Sequence, residues 1–396
     1  MIVARDYLTG AVAAAMGAAR ARVQVVATFP ITPQTATVET LSRLVEEGAL
    51  AARMIHVEGE HSAISAAAGA ALVGARAFTA TSSQGLALMH EGLVWTAGLR
   101  LPVVMTVATR ALASPVTIFA DHQDALLERD DGWTMWFAGN AQEALDFVLL
   151  AYRVAEDPRV RLPAMVCFDG FSVSHTSEGV EVPSPEAADA FLPSLVPGPI
   201  LDLNAPKIFN VMAFPEFFPE FQKDKHESQL AAEKVALDAM AGFRKLFGRE
   251  YAPVTAYRTE DAGIILVGMG SMTGTVRDAV DRARERGLRV GSLEIALYRP
   301  FPRKELMRLL GGASAVGVLD RDLAPGLGGI LHAEVLSAIY PMDRRPRTGS
   351  FILGLGGRDI TVESIDWVLR EMVSPGKDGP VFVDENSRLL AAWGLE

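Results

Sequence analysis

The stretch ARAFTATSSQGLALMHEGLVWTAGLRLPVVMTVATR (75–110) decides the fold. Its apolar runs ARAFTAT (75–81) and LPVVMTVAT (101–109) read as buried strands, and the spacing between them predicts a helix over Gly85–Ala97. The same alternation continues on both sides. VQVVATF (23–29) and RLPAMVCFD (161–169) are further buried strands, and Gln34–Glu47, His61–Leu72 and Gln142–Ala155 are further helices. Buried strands alternating with helices mean an α/β fold with a mainly parallel sheet, covered on both faces. The Ala-rich start is read as an amphipathic helix from Asp6 to Ala21, with Thr9 or Asp6 near its cap. In such sheets the working residues sit in loops beyond the strand C-termini. That points to FPITPQT (29–35), VEGEHSA (57–63), TSSQG (81–85) and TRALASPVTIFADHQD (109–124).

Residues 170–260 break the pattern. The Pro-rich VEVPSPEAADAFLPSLVPGPILD (180–202) cannot be regular throughout. FNVMAFPEFFPEFQKD (209–224) concentrates aromatics and prolines before helical spacing resumes, so an extended connector followed by a helix is expected. A second alternating unit starts at Asp261: AGIILVGMGS (262–271), the helix TGTVRDAVDRARERG (273–287), then the strands LRVGSLEI (288–295) and ASAVGVLDRD (313–322). The expected division is a first domain over 1–235 that ends in the connector, a linker helix over 236–260, and a second α/β domain over 261–396.

With 396 residues and 42.4 kDa the chain is long enough for two or three domains. Acids outnumber bases by 48 to 37, giving a net charge of −11, which argues against phosphate-backbone binding and so against a nucleic-acid partner. An anionic substrate then needs a local cation to override the global field. A lone cysteine, Cys167, excludes an internal disulfide framework and an iron–sulfur cluster held by this chain alone, and fits a reducing compartment. No apolar run reaches the roughly 18 residues of a membrane span, and the N-terminus lacks a basic start with a cleavage site. A cytoplasmic protein is expected.

Individual residues carry two readings each. Gly268-Met-Gly-Ser-Met-Thr-Gly274 follows a strand and opens a helix, which makes it a tight strand–helix turn or a weak dinucleotide fingerprint with its last glycine one residue late. For an NAD-dependent dehydrogenase, Glu294 would be the acidic ribose ligand. Glu60 opens a small-residue helix; it either meets the helix dipole or is a buried carboxylate at a strand end that shares a proton with a ligand nitrogen. Arg110, just past an apolar strand, either grips a substrate carboxylate bidentately or bridges to a neighbouring loop. Asp121, His122 and Asp124 lack the spacing of a metal site and are expected to cap and hydrogen-bond. Cys167 is a core thiol.

Taken together, F-P-I-T-P (29–33), V-E-G-E-H-S-A (57–63), T-A-T-S-S-Q-G-L-A-L-M-H-E (79–91), R-A-L-A-S-P (110–115) and D-H-Q-D…R-D-D-G-W (121–133) resemble the α subunit of 2-oxoacid:ferredoxin oxidoreductases, of which pyruvate:ferredoxin oxidoreductase is the commonest. V-G-M-G-S (267–271), Y-R-P-F-P (298–302) and V-L-D-R-D (318–322) resemble the same subunit's transketolase-C-terminal-like domain. The resemblance implies a thiamine-diphosphate pyrimidine-binding domain followed by that second α/β domain, and makes the Gly268 turn structural. It further implies oxidative decarboxylation of a 2-oxoacid to acyl-coenzyme A and carbon dioxide, with electrons leaving through iron–sulfur clusters. Pyruvate is the first expectation, with an aryl or branched-chain 2-oxoacid such as phenylglyoxylate as the alternative.

By the same resemblance Glu60 is the catalytic carboxylate on the aminopyrimidine, and Pro30 lines the cofactor pocket. Thr32 and Arg110 bind the substrate. Phe29 departs from the Tyr often found before Pro-Ile-Thr-Pro. No G-D-G is present: Asp169-Gly170 lacks the leading Gly, and Asp131-Gly132 follows an Asp. The chain is therefore expected to carry no metal ligands and to form half an active site. A β subunit would bring Mg²⁺ and the diphosphate, γ and ferredoxin-like δ subunits would join it, and partner subunits would hold the 4Fe–4S clusters.

Overall fold

A computed structural model describes residues 4–198, 201–373 and 379–394. The chain divides into two compact units, Met1–Thr255 with Ile295–Pro302, and Ala256–Glu294 with Arg303–Glu396.

In the first unit the elements run β1 (Ala4–Thr9), α1 (Gly10–Arg20), β2 (Val25–Thr28), α2 (Thr35–Glu46), β3 (Arg53–His56), α3 (Glu60–Leu72), β4 (Ala77–Thr81), α4 (Gln84–Gly98), β5 (Val104–Thr109), α5 (Gln123–Leu127), β6 (Thr134–Ala138), α6 (Ala141–Ala155), β7 (Ala164–Asp169), β8 (Ser177–Val182), α7 (Pro185–Phe191) and α8 (Phe218–Phe247). Six strands form a sheet in the order β6-β7-β5-β4-β2-β3, and the paired strands run parallel. Strands β4, β5, β6 and β7 are buried at every position, as their continuous apolar runs require. Along β5, Val104 and Ala108 join a core built with α1, α2, α6 and α8. The opposite face is covered by α3 and α4. The Ala and Gly content of α1 has a packing cause: a Cβ on Gly17 would meet the carbonyl oxygen of Leu145 in α6 at 2.6 Å. The two helices approach that closely because one of them presents almost no side chain.

Three expectations need correction. The first helix begins at Gly10, not Asp6. Residues Ala4–Thr9 form a strand antiparallel to β8, with Asp6 opposite Val180, a pairing across more than 170 residues that no local pattern can show. Thr9 does cap α1, its hydroxyl accepting from Val12 N. Second, the expected linker helix is the C-terminal part of α8, whose Ala232, Val235, Ala236, Ala239, Met240 and Phe243 are buried inside the first unit. Phe243 packs edge-on against Phe191 of α7 at 5.0 Å. Just beyond α8, Arg249 clamps the buried Asp146 of α6 at 2.6 Å. Third, the Y-R-P-F-P stretch belongs to the first unit: Leu297–Arg299 adds an antiparallel edge strand beside β6. The expected connector holds β8 and α7 before its irregular part, and residues 199–200 of it lie outside the described residues.

The sheet of the second unit has six strands in the order Pro380–Phe382, Arg347–Ile352, Ala315–Asp320, Ile264–Gly268, Val290–Ile295 and Val254–Tyr257, and the first five pair in parallel. Helices Met272–Glu285 and Val362–Val373 share a core with Leu266, Val290, Leu319 and Phe351. The Gly268 turn is a structural one, closed by the Thr273 hydroxyl donating to the Gly270 carbonyl at 2.9 Å. Glu294 spends its carboxylate on Arg277 at 2.6 Å and is not presented as a ribose ligand. Among the described residues no helix is long and apolar enough to cross a membrane.

Candidate active site at the C-terminal edge of the first sheet

The parallel strands of the first unit deliver their C-terminal loops to one edge, where four of the loops singled out in the sequence converge. Thr28 and His56 are register partners, so the loops that follow β2 and β3 leave side by side. Glu60 is the first residue of α3, capped by Gly59, and is only 6% exposed. Its carboxylate lies against the backbone of Gly85 in the first turn of α4: a Cβ there would meet Glu60 Oε1 at 2.5 Å and Thr81 Oγ1 at 2.6 Å. No described residue hydrogen-bonds to the Glu60 carboxylate, and the buried Thr81 hydroxyl is likewise unpartnered. Glu60 sits in the first turn of a helix and is also buried.

Arg110 follows β5 and is 9% exposed. Its Nη1 donates to the Thr32 carbonyl at 2.9 Å and its Nε to the Thr117 carbonyl at 2.9 Å. The guanidinium makes no ion pair with a described carboxylate, so the salt-bridge reading falls away. Two carbonyls hold it and the Nη2 edge is left without a hydrogen bond to a described residue. Burial pulls its pKa down, with Asp124 opposing. Thr32 and Pro30 are exposed on the loop after β2. That loop is pinned by the buried Gln34, whose Nε2 donates to the Phe29 carbonyl at 3.2 Å while its Oε1 has no partner. Thr32 and Arg110 are thus brought together directly. Glu60 reaches them through a relay of backbone contacts rather than by touching either.

That relay centres on Asp124, which the sequence reading placed only in a capping loop. Asp124 Oδ2 accepts from Ser83 N at 2.8 Å and from Arg110 N at 3.0 Å, and its Oδ1 accepts from Ala125 N at 2.8 Å. Burial raises its pKa to about 7 against the opposing pull of these three donors. Ser83 Oγ donates to the Ala111 carbonyl at 2.6 Å. Nearby, His122 Nε2 and Asp169 form a pair at 2.6 Å, each 1% exposed. Asp169 is therefore engaged inside the unit, in line with the absence of a metal-binding G-D-G. Gly170, next along, comes within a Cβ's reach of Pro33 Cγ at 2.9 Å, which closes the loop after β2 against β7. Cys167 is fully buried in β7, and burial pushes its thiol pKa up, as expected of a core cysteine.

A further group lies on the same unit. His90 Nδ1 is 2.6 Å from Glu128 and 3.6 Å from Asp131, with both acids buried. The expectation of no metal ligands rested on the missing G-D-G and did not anticipate this cluster, which arises from the folding of α4 against the turn after α5.

The buried, unpartnered carboxylate and hydroxyl beside a glycine with no room for a Cβ fit a polar heterocycle that would supply their missing partners. Residues 16–241 match the family described as pyruvate flavodoxin/ferredoxin oxidoreductase, thiamine-diphosphate-binding, and residues 262–365 match the pyruvate:ferredoxin oxidoreductase core domain II. The pyruvate synthase subunit PorA of Pyrococcus horikoshii is 46% identical over 359 residues, covering 90% of this chain and 91% of that one. The ketoisovalerate oxidoreductase subunit VorA of the same organism is 42% identical over 371 residues, covering 93% of each. In structure, a 2-oxoglutarate:ferredoxin oxidoreductase from Magnetococcus marinus superposes with a TM-score of 0.73 at 19% identity, over 94% of this chain; this chain spans 65% of that longer one. The chain belongs to the pyruvate flavodoxin/ferredoxin oxidoreductase family, and its residues 16–241 form that family's thiamine-diphosphate-binding domain.

Proposed function

We propose that this chain is the pyrimidine-side half of the active site of a thiamine-dependent 2-oxoacid oxidoreductase, with pyruvate as substrate. The observation that carries the assignment is the Glu60 carboxylate, buried against Gly85 without a protein partner, at the same sheet edge as an arginine with one guanidinium edge open. When bound, thiamine diphosphate would supply a carbanion-stabilising thiazolium, the electron sink for decarboxylation of a 2-oxoacid. The residues of this chain prepare for that. Glu60 would hold a proton between its carboxylate and a ring nitrogen of the aminopyrimidine, where low dielectric would strengthen the bond. Gly85, with no Cβ, leaves space for the Glu60 carboxylate, Thr81 would offer a second hydrogen bond, and Pro30 would line the pocket. Arg110 Nη2 grips the 2-oxoacid carboxylate, a role that its two carbonyl anchors preorganise. Thr32, whose backbone carbonyl holds that guanidinium, would bond to the substrate through its hydroxyl.

The relatives named for pyruvate and for ketoisovalerate differ little in identity to this chain, so a branched-chain 2-oxoacid is the second reading. The missing G-D-G and the single cysteine support the reading that partner subunits hold Mg²⁺, the diphosphate contacts and the iron–sulfur clusters, with coenzyme A and a ferredoxin as co-substrates of the assembly. The test is the complex purified with its co-expressed partners and assayed with a viologen dye on pyruvate, 2-oxoisovalerate and phenylglyoxylate. Glu60→Gln should cut turnover on the order of 10²-fold or more while the complex still assembles. Wild-type turnover in that variant would sink the assignment.

A further inference from the structure

We infer that Asp124 is a positioning residue for substrate capture: its carboxylate clamps the backbone of Arg110 to the turn that carries Gly85 against Glu60. The inference rests on the reading of Arg110 as the carboxylate anchor. A single oxygen, Oδ2, takes both the Ser83 N–H at 2.8 Å and the Arg110 N–H at 3.0 Å. Ser83 in turn donates its hydroxyl to the carbonyl of Ala111 at 2.6 Å, so the residues on both sides of the Arg110 carbonyl are held from the same direction. The side chain of Arg110 is then fixed at two more points, Thr32 O and Thr117 O. Five hydrogen bonds thus restrain an arginine whose Nη2 has no hydrogen bond to a described residue.

Ser83 is itself unusual. Its φ of 51° and ψ of −124° lie where a residue with a side chain is seldom found. Such a conformation persists only when its surroundings over-determine it, and the Asp124 carboxylate is the group that receives its N–H. The carboxylate does this work only when ionised. A proton on Oδ2 would face two N–H donors, and a proton on Oδ1 would face the N–H of Ala125. Because burial pushes Asp124 up to about 7, acidification below neutrality loosens the clamp in the physiological range. Asparagine cannot replace it: with its oxygen turned to Ser83 and Arg110, its amide nitrogen confronts Ala125 N–H, and one buried donor stays unsatisfied in every rotamer.

The experiment uses the assembled complex carrying Asp124→Asn, Asp124→Glu, Arg110→Ala, or Asp124→Asn with Arg110→Ala. Three quantities are read: KM and kcat for the 2-oxoacid across pH, the Kd of the inert carboxylate probe oxamate, and the melting temperature. Asp124→Asn should raise KM and the oxamate Kd roughly tenfold, the order expected of one unsatisfied buried donor, with kcat changed much less. It should also remove the acid limb of kcat/KM near pH 7. Asp124→Glu, which keeps the charge, should recover part of the affinity. In the double variant the Asp124 change should add almost nothing, because its effect passes through Arg110. A drop in melting temperature or active fraction with KM and oxamate Kd unchanged overturns the inference and leaves Asp124 a fold-stabilising residue. If Arg110→Ala itself binds oxamate like wild type, the carboxylate anchor is elsewhere, and the inference falls with that reading rather than by itself.

Discussion

At the scale of single residues, the site is set by what is missing as much as by what is present. Gly85 has no side chain because the Glu60 carboxylate and the Thr81 hydroxyl occupy the place of a Cβ. Gly85→Ala should therefore leave the fold intact, since position 85 sits in an ordinary helical turn, but displace Glu60. Misplacing a catalytic group by about 1 Å costs on the order of 10²-fold in rate, and a loss of that size is expected in kcat with near-normal circular dichroism and subunit assembly. Arg110 should behave differently. Arg110→Ala removes the charged partner of a desolvated carboxylate, a cost of about 2–5 kcal/mol, and should appear mainly as a rise in KM. Arg110→Lys should recover only part, because an ammonium cannot reproduce the two carbonyl anchors and still offer a fork to the substrate. An unchanged KM in the alanine variant moves the carboxylate site off β5.

At the scale of elements, helix α4 meets the turn after α5 through His90, Glu128 and Asp131. Burial first, and the neighbouring Glu128 carboxylate second, push the Asp131 carboxyl well above the ordinary carboxylate range, with Lys225 opposing. The unfolded chain titrates this group near pH 4, so between there and its folded pKa the native state holds more protons than the unfolded state. Stability then falls as pH rises through that window. Asp131→Asn should flatten the dependence: its melting temperature should exceed that of wild type at pH 8.5 and approach or fall below it at pH 5.5. Thermal melts at the two pH values check this, and parallel pH curves for the two proteins would show that Asp131 is ionised throughout. On its other side α4 meets α3, and that contact explains the small residues in both helices. A Cβ on Gly92 would meet Ile64 Cγ2 at 2.4 Å, so the two helices that present Glu60 and Gly85 pack at close range. The distance between those two residues is set by that contact.

At the scale of the whole molecule, a chain with a net charge of −11 and one cysteine meets a cofactor whose charge sits on its diphosphate. The isolated chain should bind thiamine diphosphate only weakly by calorimetry and contain no iron by metal analysis, because it lacks the Mg²⁺ motif that would neutralise the diphosphate and the four thiolates a cluster needs. Submicromolar binding or stoichiometric iron in the chain alone would end the half-site reading. Around the start of α8, Phe214, Phe217, Phe218 and Phe221 are exposed aromatics.

Much of this was already written in local pattern. The runs 75–81, 101–109 and 161–169 became β4, β5 and β7, which end where the runs end and begin two or three residues later, because a strand buried on both faces has to be apolar throughout. Arg110 was legible as a residue of the loop beyond β5, because a parallel sheet sends its loops to one edge, and the loops after β2 and β3 that carry Thr32 and Glu60 leave at that same edge. What local pattern could not hold was any feature made by distant pairing. Strand β3, R-M-I-H, is an edge strand with a half-exposed surface and carries no apolar run to announce it. Residues 4–9 became a strand because 177–182 lay beside them, Leu297–Arg299 belongs to the first unit through its pairing with β6, and the presumed linker helix was captured by α6 and α7. Asp124 read as one more capping acid in D-H-Q-D; only the folded chain brought Ser83 and Arg110, 27 residues apart, to the same oxygen. Composition and periodicity report what each segment does to its own neighbours in sequence. The clamp on Arg110 exists only where three segments meet, and the energy of that meeting is decided by burial, which belongs to the tertiary structure.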